Sequence, residues 1–141
     1  MFHGTHYYNM DSKGRLVLAP CFRDHLGSKV IVTRHLYYNC LMLFSQEKFN
    51  ELCKPHKSNS FNELETQASN ISNYYLDYSQ IIEIDNANRI LIKDPLRDYA
   101  KIDKECVLVG RIDYILIWNS ELLSESNKRR DESVRKKDIG S

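Results

Sequence analysis

Two short segments of the sequence carry an aspartate followed four residues later by an arginine. The first is Asp11-Ser-Lys-Gly-Arg15 and the second is Asp85-Asn-Ala-Asn-Arg89. An aspartate at the first position of a tight turn accepts hydrogen bonds from backbone amides two residues on. An arginine held by such a turn offers a planar fork of donors that matches phosphate oxygens and the guanine edge in the DNA major groove. The pair therefore indicates either nucleic-acid binding or two internal Asp–Arg salt bridges that merely close hairpins.

The residue before each arginine indicates the shape of the turn. It is Gly14 in the first segment and Asn88 in the second. Glycine adopts positive φ freely, and asparagine is the commonest other residue in the left-handed conformation, so we expect one geometry for both turns. Lys13 adds a positive charge at the first tip, where the second has Ala87. The residues predicted to organise the turns are Asp11, Gly14, Asp85 and Asn88.

The two turns belong to an internal repeat with an offset of 74 residues. Apolar residues match apolar residues in the same order along both copies. A period of this length is too long for a solenoid turn, so we expect two similar halves that face each other across a pseudo-twofold axis. The matched segments are Leu16–Leu18 with Ile90–Ile92, Phe22–Asp24 with Leu96–Asp98, and Leu41–Phe44 with Ile115–Trp118.

Each copy predicts the same succession of elements: strand, tight turn, strand, short helix, strand, strand, helix. Pro20 and Asp94-Pro95 are expected to start the short helices, and Ser45 and Ser120 to cap the helices that end each copy. The predicted organisation is a first repeat at 1–49, a connecting helical segment at 50–76, a second repeat at 77–126 and a charged tail at 127–141.

The connecting segment and the tail differ in character from the repeats. Apolar residues spaced by three and four predict an amphipathic helix that begins at a capping box, residues 60–63, and runs to about Asp77. The tail is nearly all polar with an excess of Lys and Arg, so we expect a frayed helical or disordered end.

The composition is typical of one soluble domain. The chain has 141 residues, of which 42% are hydrophobic and 28% charged, with a net charge of +1. A polyanion must therefore be bound by a local cluster of positive side chains, because the molecule as a whole has almost no charge. The sequence has neither an apolar run long enough for a membrane helix nor the pattern of a signal peptide, so a cytosolic protein is expected.

Metal binding and disulfides are not expected. His3 and His6 are three residues apart on a predicted strand, where such residues point to opposite faces. The four cysteines form no C-x-x-C pair, and three of them lie among apolar neighbours, so reduced and packed thiols are predicted. These cysteines are Cys21, Cys40, Cys53 and Cys106.

The two aspartates of the turns could also belong to the active site of an enzyme. Asp11 and Asp85, if brought together by the axis, would form a general acid and base pair as in a hydrolase. The arginine four residues after each aspartate favours ionised carboxylates, whereas such a pair needs one raised pKa. No nucleophile elbow, phosphate loop or dinucleotide fingerprint is present, so the prediction is a protein without enzymatic activity or cofactor.

The start Met1-Phe-His-Gly, the segment Asp11-Ser-Lys-Gly-Arg15-Leu-Val-Leu-Ala-Pro20 and the second Asp85-x-x-x-Arg89 resemble MraZ proteins. The resemblance covers about residues 1 to 125 and leaves the tail out. It implies an α+β, mainly β fold, in which two tandem AbrB/SpoVT-like halves related by a pseudo-twofold form one β-barrel with flanking helices.

The resemblance also implies a function. It points to a sequence-specific DNA-binding transcriptional regulator of the bacterial division and cell-wall gene cluster, which acts as a ring oligomer on direct repeats in the promoter. The implied partners are double-stranded DNA and further copies of the chain, with no membrane and no small-molecule substrate, and the implied location is the cytoplasm at the nucleoid. The alternative is a ring-forming protein-interaction module, antitoxin-like, whose main ligand is not DNA.

The DNA-binding residues carried over from the family are Lys13, Arg15, Arg89 and His3. The family commonly has arginine at the position of His3, so a contact there would be weaker and would depend on pH near neutrality. Since Ala87 stands opposite Lys13, we expect the first repeat to carry most of the DNA affinity and the second to serve mainly the barrel and assembly.

Overall fold

The computed structural model describes residues 1–54 and 63–139 of the chain. The strands are β1 (Thr5–Asn9), β2 (Arg15–Val17), β3 (Lys29–Arg34), β4 (Leu41–Ser45), β5 (Gln80–Glu83), β6 (Arg89–Leu91), β7 (Glu105–Gly110) and β8 (Ile115–Asn119). The helices are α1 (Pro20–Arg23), α2 (Gln46–Leu52), α3 (Glu63–Asp77), α4 (Asp94–Ala100) and α5 (Ser120–Ile139).

Six strands form one antiparallel sheet in the order β1-β7-β8-β4-β3-β5, and β2 pairs with β6 in a separate two-stranded ribbon. The halves are interleaved, because every strand of the first half pairs with a strand of the second. These pairs are β1 with β7, β2 with β6, β3 with β5, and β4 with β8. The strand pairing follows the internal repeat closely, since β1–β7 and β5–β3 occupy equivalent places at the two ends of the sheet.

The large sheet is covered on both faces, and this explains the continuous apolar runs in its central strands. Successive residues of β8 alternate between the two faces: Ile115 and Ile117 pack toward the ribbon, whereas Leu116 and Trp118 pack toward α2, α3 and α5. The protein is thus built of three layers, with α1, α4 and the ribbon on one side of the sheet. The side chains that the ribbon and its flanks contribute to the core include Leu16, Leu18, Ile90 and Ile92.

The fold is α+β and mainly β, as expected, but the prediction of a β-barrel is wrong. Within the described residues the sheet is open, with β1 and β5 as its edges. The ribbon does not bridge these edges, because β2 and β6 are three residues long and pair only with each other. The ribbon packs instead as its own layer and buries Leu16 and Ile90 in the core that it shares with the sheet.

The predicted helix starts are mostly confirmed. α1 begins at Pro20, and Ser45 caps α2 by accepting a hydrogen bond from Lys48 N at 3.2 Å. Ser120 is not the cap of α5. Asn119 Oδ1 accepts from Leu122 N at 3.1 Å instead, one residue earlier than predicted.

The connecting segment and the tail are both helical where the structure describes them. α3 ends at Asp77 as predicted and buries Tyr75 against the sheet, while the expected capping residue Ser60 lies outside the described residues. α5 is one continuous helix from Ser120 to Ile139, so the described part of the charged tail takes the helical of the two expected forms. The boundary predicted at residue 127 falls inside this helix.

The cysteine side chains are unpaired, as predicted. Cys40 and Cys106 are buried, and burial raises the pKa of these thiols to about 12 and about 11. Cys53 is half-buried, with its pKa also raised by burial. Cys21 is exposed on the short helix α1, so the expectation of a packed thiol is wrong at that position.

Gly110 marks the point where the amino terminus crosses the end of β7. Its N–H donates to Gly4 O at 2.9 Å, and a Cβ built on it would lie 2.2 Å from the backbone nitrogen of His3. We expect Gly110→Ala to lower the free energy of unfolding by about 3 kcal/mol, because backbone must move to admit the methyl group. Urea denaturation followed by circular dichroism measures this change.

Gly27→Ala is the matched control. Gly27 has φ of +78° and no atom within 4 Å of a Cβ, so this variant should lose only about 1 kcal/mol of conformational strain. Equal losses in the two variants would contradict the close backbone approach at Gly110.

Candidate nucleic-acid interface

The first Asp–Arg turn is held by one carboxylate. Asp11 Oδ1 accepts hydrogen bonds from the backbone N–H of Lys13 at 2.9 Å and of Arg15 at 2.8 Å. Asp11 Oδ2 accepts from Arg15 Nε at 2.7 Å. The carboxylate therefore fixes the backbone of the turn and the direction of the arginine side chain together.

The second turn repeats this arrangement. Asp85 Oδ1 accepts from the backbone N–H of Ala87 at 2.9 Å and of Arg89 at 2.8 Å, and Oδ2 accepts from Arg89 Nε at 2.9 Å. Gly14 and Asn88 have φ of +88° and +59°. The prediction of one shared geometry, with asparagine replacing glycine at the left-handed position, is confirmed.

These contacts keep both carboxylates ionised. The hydrogen bond from the backbone of Arg15, helped by its side chain and by the backbone of Lys13, lowers the pKa of Asp11 to about 2. The equivalent bonds from Arg89 and Ala87 lower the pKa of Asp85. A general acid near neutral pH needs a raised pKa, so the geometry does not suit the acid–base pair of a hydrolase.

The two turns lie at opposite ends of the β2–β6 ribbon and are hydrogen-bonded to it. Leu18 N donates to Asn88 O at 2.8 Å, and Ile92 N donates to Gly14 O at 3.0 Å. The carbonyl oxygens of Gly14 and Asn88 thus accept hydrogen bonds from the residues that directly follow β6 and β2. A movement of the first turn would therefore disturb β6, and a movement of the second turn would disturb β2.

The register of the ribbon places both arginines on one face. Arg15 is opposite Leu91 and Val17 is opposite Arg89. The residues between them, Leu16 and Ile90, are fully buried, so the alternate residues face outward. Diagonal neighbours of this kind have Cα atoms roughly 7–8 Å apart.

Two exposed apolar side chains share that face with the arginines. Val17 is 53% exposed and Leu91 is 46% exposed. The sequence did not single out these residues, because a three-residue apolar run is also typical of a strand that is covered on both faces. The signal was present: in Arg-x-Val and Arg-x-Leu the alternation puts the third residue on the side of the arginine.

The salt bridges with the aspartates leave part of each arginine side chain exposed to solvent. Each guanidinium uses Nε for the aspartate, and its side chain remains about one third exposed, at 32% for Arg15 and 35% for Arg89. The Nη groups of both residues make no hydrogen bond to any residue in the described part of the chain. Turn closure and ligand binding are therefore compatible roles for one side chain.

The first turn carries more positive charge than the second. Lys13 is exposed at its tip. Arg97 of α4 lies over Gly14, because a Cβ built on Gly14 would be 2.7 Å from Arg97 Nε. The same Nε donates a hydrogen bond to Ile92 O at 2.8 Å. Asp94 pairs with this guanidinium. The repeat had matched Arg97 with Arg23, but only the fold brings it to the turn.

His3 is not brought to either turn by any described contact. It is exposed at the end of β1 remote from Asp11, and its backbone lies against Gly110. Its carbonyl oxygen is 3.2 Å from His6 Nε2. The four residues predicted for DNA contact therefore divide into the ribbon group of Lys13, Arg15 and Arg89, and His3 beyond the far end of β1.

The described residues contain no cluster of three or more His, Cys, Asp or Glu side chains arranged to hold a metal ion. Among the same residues, no helix is both long and apolar enough to cross a membrane.

The lowered pKa of Asp11 predicts a pH dependence of stability. A carboxylate whose pKa is lower in the folded state stabilises the fold above its ordinary value of 3.8, and this stabilisation is lost as the pH falls toward about 2. We expect the Tm of Asp11→Asn, which keeps an oxygen acceptor, to fall less over this range than that of the unchanged protein. Differential scanning calorimetry provides the measurement. Asp103→Asn, at an exposed carboxylate without an ion pair among the described residues, is the control and should follow the unchanged protein.

Comparison with known proteins identifies relatives along nearly the whole chain. The sequence model of a family described as "MraZ protein, putative antitoxin-like" matches residues 1–71 and 79–138. A protein of Desulforamulus reducens named Transcriptional regulator MraZ is 36% identical over 133 residues, which cover 94% of this chain and 92% of its own length. Proteins of that name from Carboxydothermus hydrogenoformans and Halothermothrix orenii are 35% and 34% identical over 86% of this chain, and over 83% and 82% of their own lengths.

The resemblance carried by the two turns is thereby confirmed. Since the family match includes both Asp–Arg turns and the strands that follow them, the chain belongs to the MraZ family.

Proposed function

We propose that this protein is a transcriptional regulator that binds double-stranded DNA through the outward face of the β2–β6 ribbon. The observation that carries the proposal is the placement of Arg15 and Arg89 on that one face, each with free Nη donors. The relatives named as transcriptional regulators support the same class of function.

The ribbon fits the major groove in size and chemistry. The groove admits a two-stranded β-ribbon, and an arginine fork matches the O6 and N7 acceptors of guanine. Val17 and Leu91 stand beside the arginines as exposed apolar groups, which suits contact with thymine methyl groups. Because an aspartate holds each Nε, little side-chain entropy is lost when the outer donors meet a base or a phosphate.

The net charge of +1 argues that several copies bind together. One ribbon supplies few phosphate contacts, whereas linked copies gain affinity through effective concentration. We propose a ring of protomers joined head to tail, in which every copy has the same orientation and the ribbons read direct repeats. The two sheet edges support such a contact, because Tyr7 on β1 is 77% exposed and Ile81 on β5 is 64% exposed.

The proposed target, following the family resemblance, is a set of direct repeats upstream of the bacterial division and cell-wall gene cluster. The proposed location is accordingly the cytoplasm, at the nucleoid. The interleaved halves are proposed to be AbrB-like units related by a pseudo-twofold, with the ribbon at their junction.

We expect Arg15→Ala to weaken binding to DNA from upstream of the gene by about 1–3 kcal/mol, as for loss of an arginine that reads a base. Arg89→Ala should weaken binding less, because the first turn has the exposed Lys13 at its tip whereas the second has Ala87 there. Fluorescence anisotropy with a labelled promoter fragment measures both affinities.

Two variants control this experiment. Lys48→Ala removes one positive charge from α2, on the face of the sheet opposite the ribbon, and should leave the affinity unchanged. Arg15→Lys keeps the charge but not the fork, so it separates base reading from simple attraction. A larger loss from Arg89→Ala would reverse the assignment of the stronger turn, and absence of promoter binding by the unchanged protein would favour the antitoxin-like interaction module.

We expect Lys13→Ala to reduce the slope of log K against log[salt] by about one, with similar effects on all DNA sequences. Lys13 is an exposed point charge at the tip of a turn, which suits a phosphate rather than a base edge. Binding measured at a series of salt concentrations gives the slope. An unchanged slope with lost sequence preference would show that Lys13 reads a base.

A further inference from the structure

A cleft of about 750 Å³ lies between α5 and the loops at one end of the large sheet. It is on the face of the sheet that carries α2, α3 and α5, whereas the ribbon is on the other face. The residues that line the cleft include His35, Tyr38, Arg111, Trp118 and Arg129. Its volume is in the range of sites that hold small organic ligands.

A buried donor without a partner lies in the wall of this cleft. Trp118 is 5% exposed, and its Nε1–H has no hydrogen-bond acceptor among the described residues. Buried polar groups in native proteins nearly always have a partner. The indole N–H is therefore a donor for which the described residues supply no acceptor.

The cleft is positively charged. Three arginines line it, and none of the described lining residues is aspartate or glutamate. Arg130 is paired with the neighbouring Asp131, whereas Arg111 and Arg129 make no ion pair with any described residue. These two guanidinium groups, one on the residue that follows β7 and one on α5, suit the oxygens of a phosphate group.

Aromatic rings form the remaining surface. Tyr37 is 78% exposed and Tyr38 is 51% exposed, and the ring of Tyr38 lies 5.9 Å from that of Trp118. His35 Nδ1 accepts from the backbone N–H of both tyrosines, at 3.0 and 3.2 Å, so its Nε2 carries the proton. Exposed aromatic faces beside guanidinium groups are the elements that bind a planar base and its phosphates.

We propose that this cleft binds a nucleoside phosphate, with Arg111 and Arg129 on the phosphates and with Tyr37 and Tyr38 stacked on the base beside Trp118. The site lies on the other side of the sheet from the ribbon, so the ligand would bind apart from any DNA held by the ribbon. The proposal does not rest on DNA binding.

Trp118 is the only tryptophan in the chain, and its fluorescence therefore reports on the cleft. We expect titration of the full chain with ADP, or with UDP as a pyrimidine, to give a saturable change in emission, with one site per chain by calorimetry. Adenosine lacks the phosphates and pyrophosphate lacks the base, so each should bind at least about tenfold more weakly than ADP. No saturable response to either nucleotide up to about 1 mM would overturn the proposal.

Variants locate the binding. Arg111→Gln and Arg129→Gln should each weaken nucleotide binding about tenfold. Arg135→Gln on the same helix, exposed and outside the cleft, should leave it unchanged. Equal affinity in all three variants would place the nucleotide elsewhere and overturn the proposal. A change in Trp118 emission on dilution of the protein, with none on addition of nucleotide, would show that a second copy fills the cleft.

Discussion

The pairing of β2 with β6 is the contact on which the organisation of this protein depends. One strand comes from each half. The carbonyl oxygens of Gly14 and Asn88, both in the left-handed conformation, accept a hydrogen bond from the residue that follows the strand of the other half. The aspartates hold these turns by accepting two backbone N–H bonds each. The geometry of the arginines is therefore set by backbone hydrogen bonds and by a buried apolar face.

Much of this arrangement could be predicted because it is local. The position of an aspartate, an arginine and a residue that tolerates positive φ determines a turn within five residues, and the same pattern occurs twice. The repeat also predicted the order of strands and helices, since hydrophobic periodicity reports which side chains a short element buries. Pro20 and Ser45 gave correct helix starts for the same reason.

Most of the failures concern contacts between residues that are far apart in the sequence, whereas the cap of α5 was misplaced by one residue, from Asn119 to Ser120. Which strand lies beside which is decided by packing between residues many positions apart, and no local pattern distinguishes an open sheet with a separate ribbon from a closed barrel. Arg97 reaches the first turn only because α4 packs beside it. The outward position of Val17 and Leu91 depends on which face of a three-residue strand is covered. His3 is adjacent in sequence to β1 but remote from the turn that β1 leads into.

The interleaved strand order has a consequence for biosynthesis. β1 is translated well before its partner β7, which begins at Glu105, and the contact of β4 at the centre of the sheet needs β8. A nascent first half thus has β3 and β4 paired with each other, but β1 and the other edge of β4 lack their partners until β7 and β8 have been translated. Exposed apolar strands of this kind are the situation in which chaperones bind and non-native association competes with folding. Because both halves belong to one polypeptide, the complementary strands stay at high local concentration, so that the core can close without a search for a second molecule.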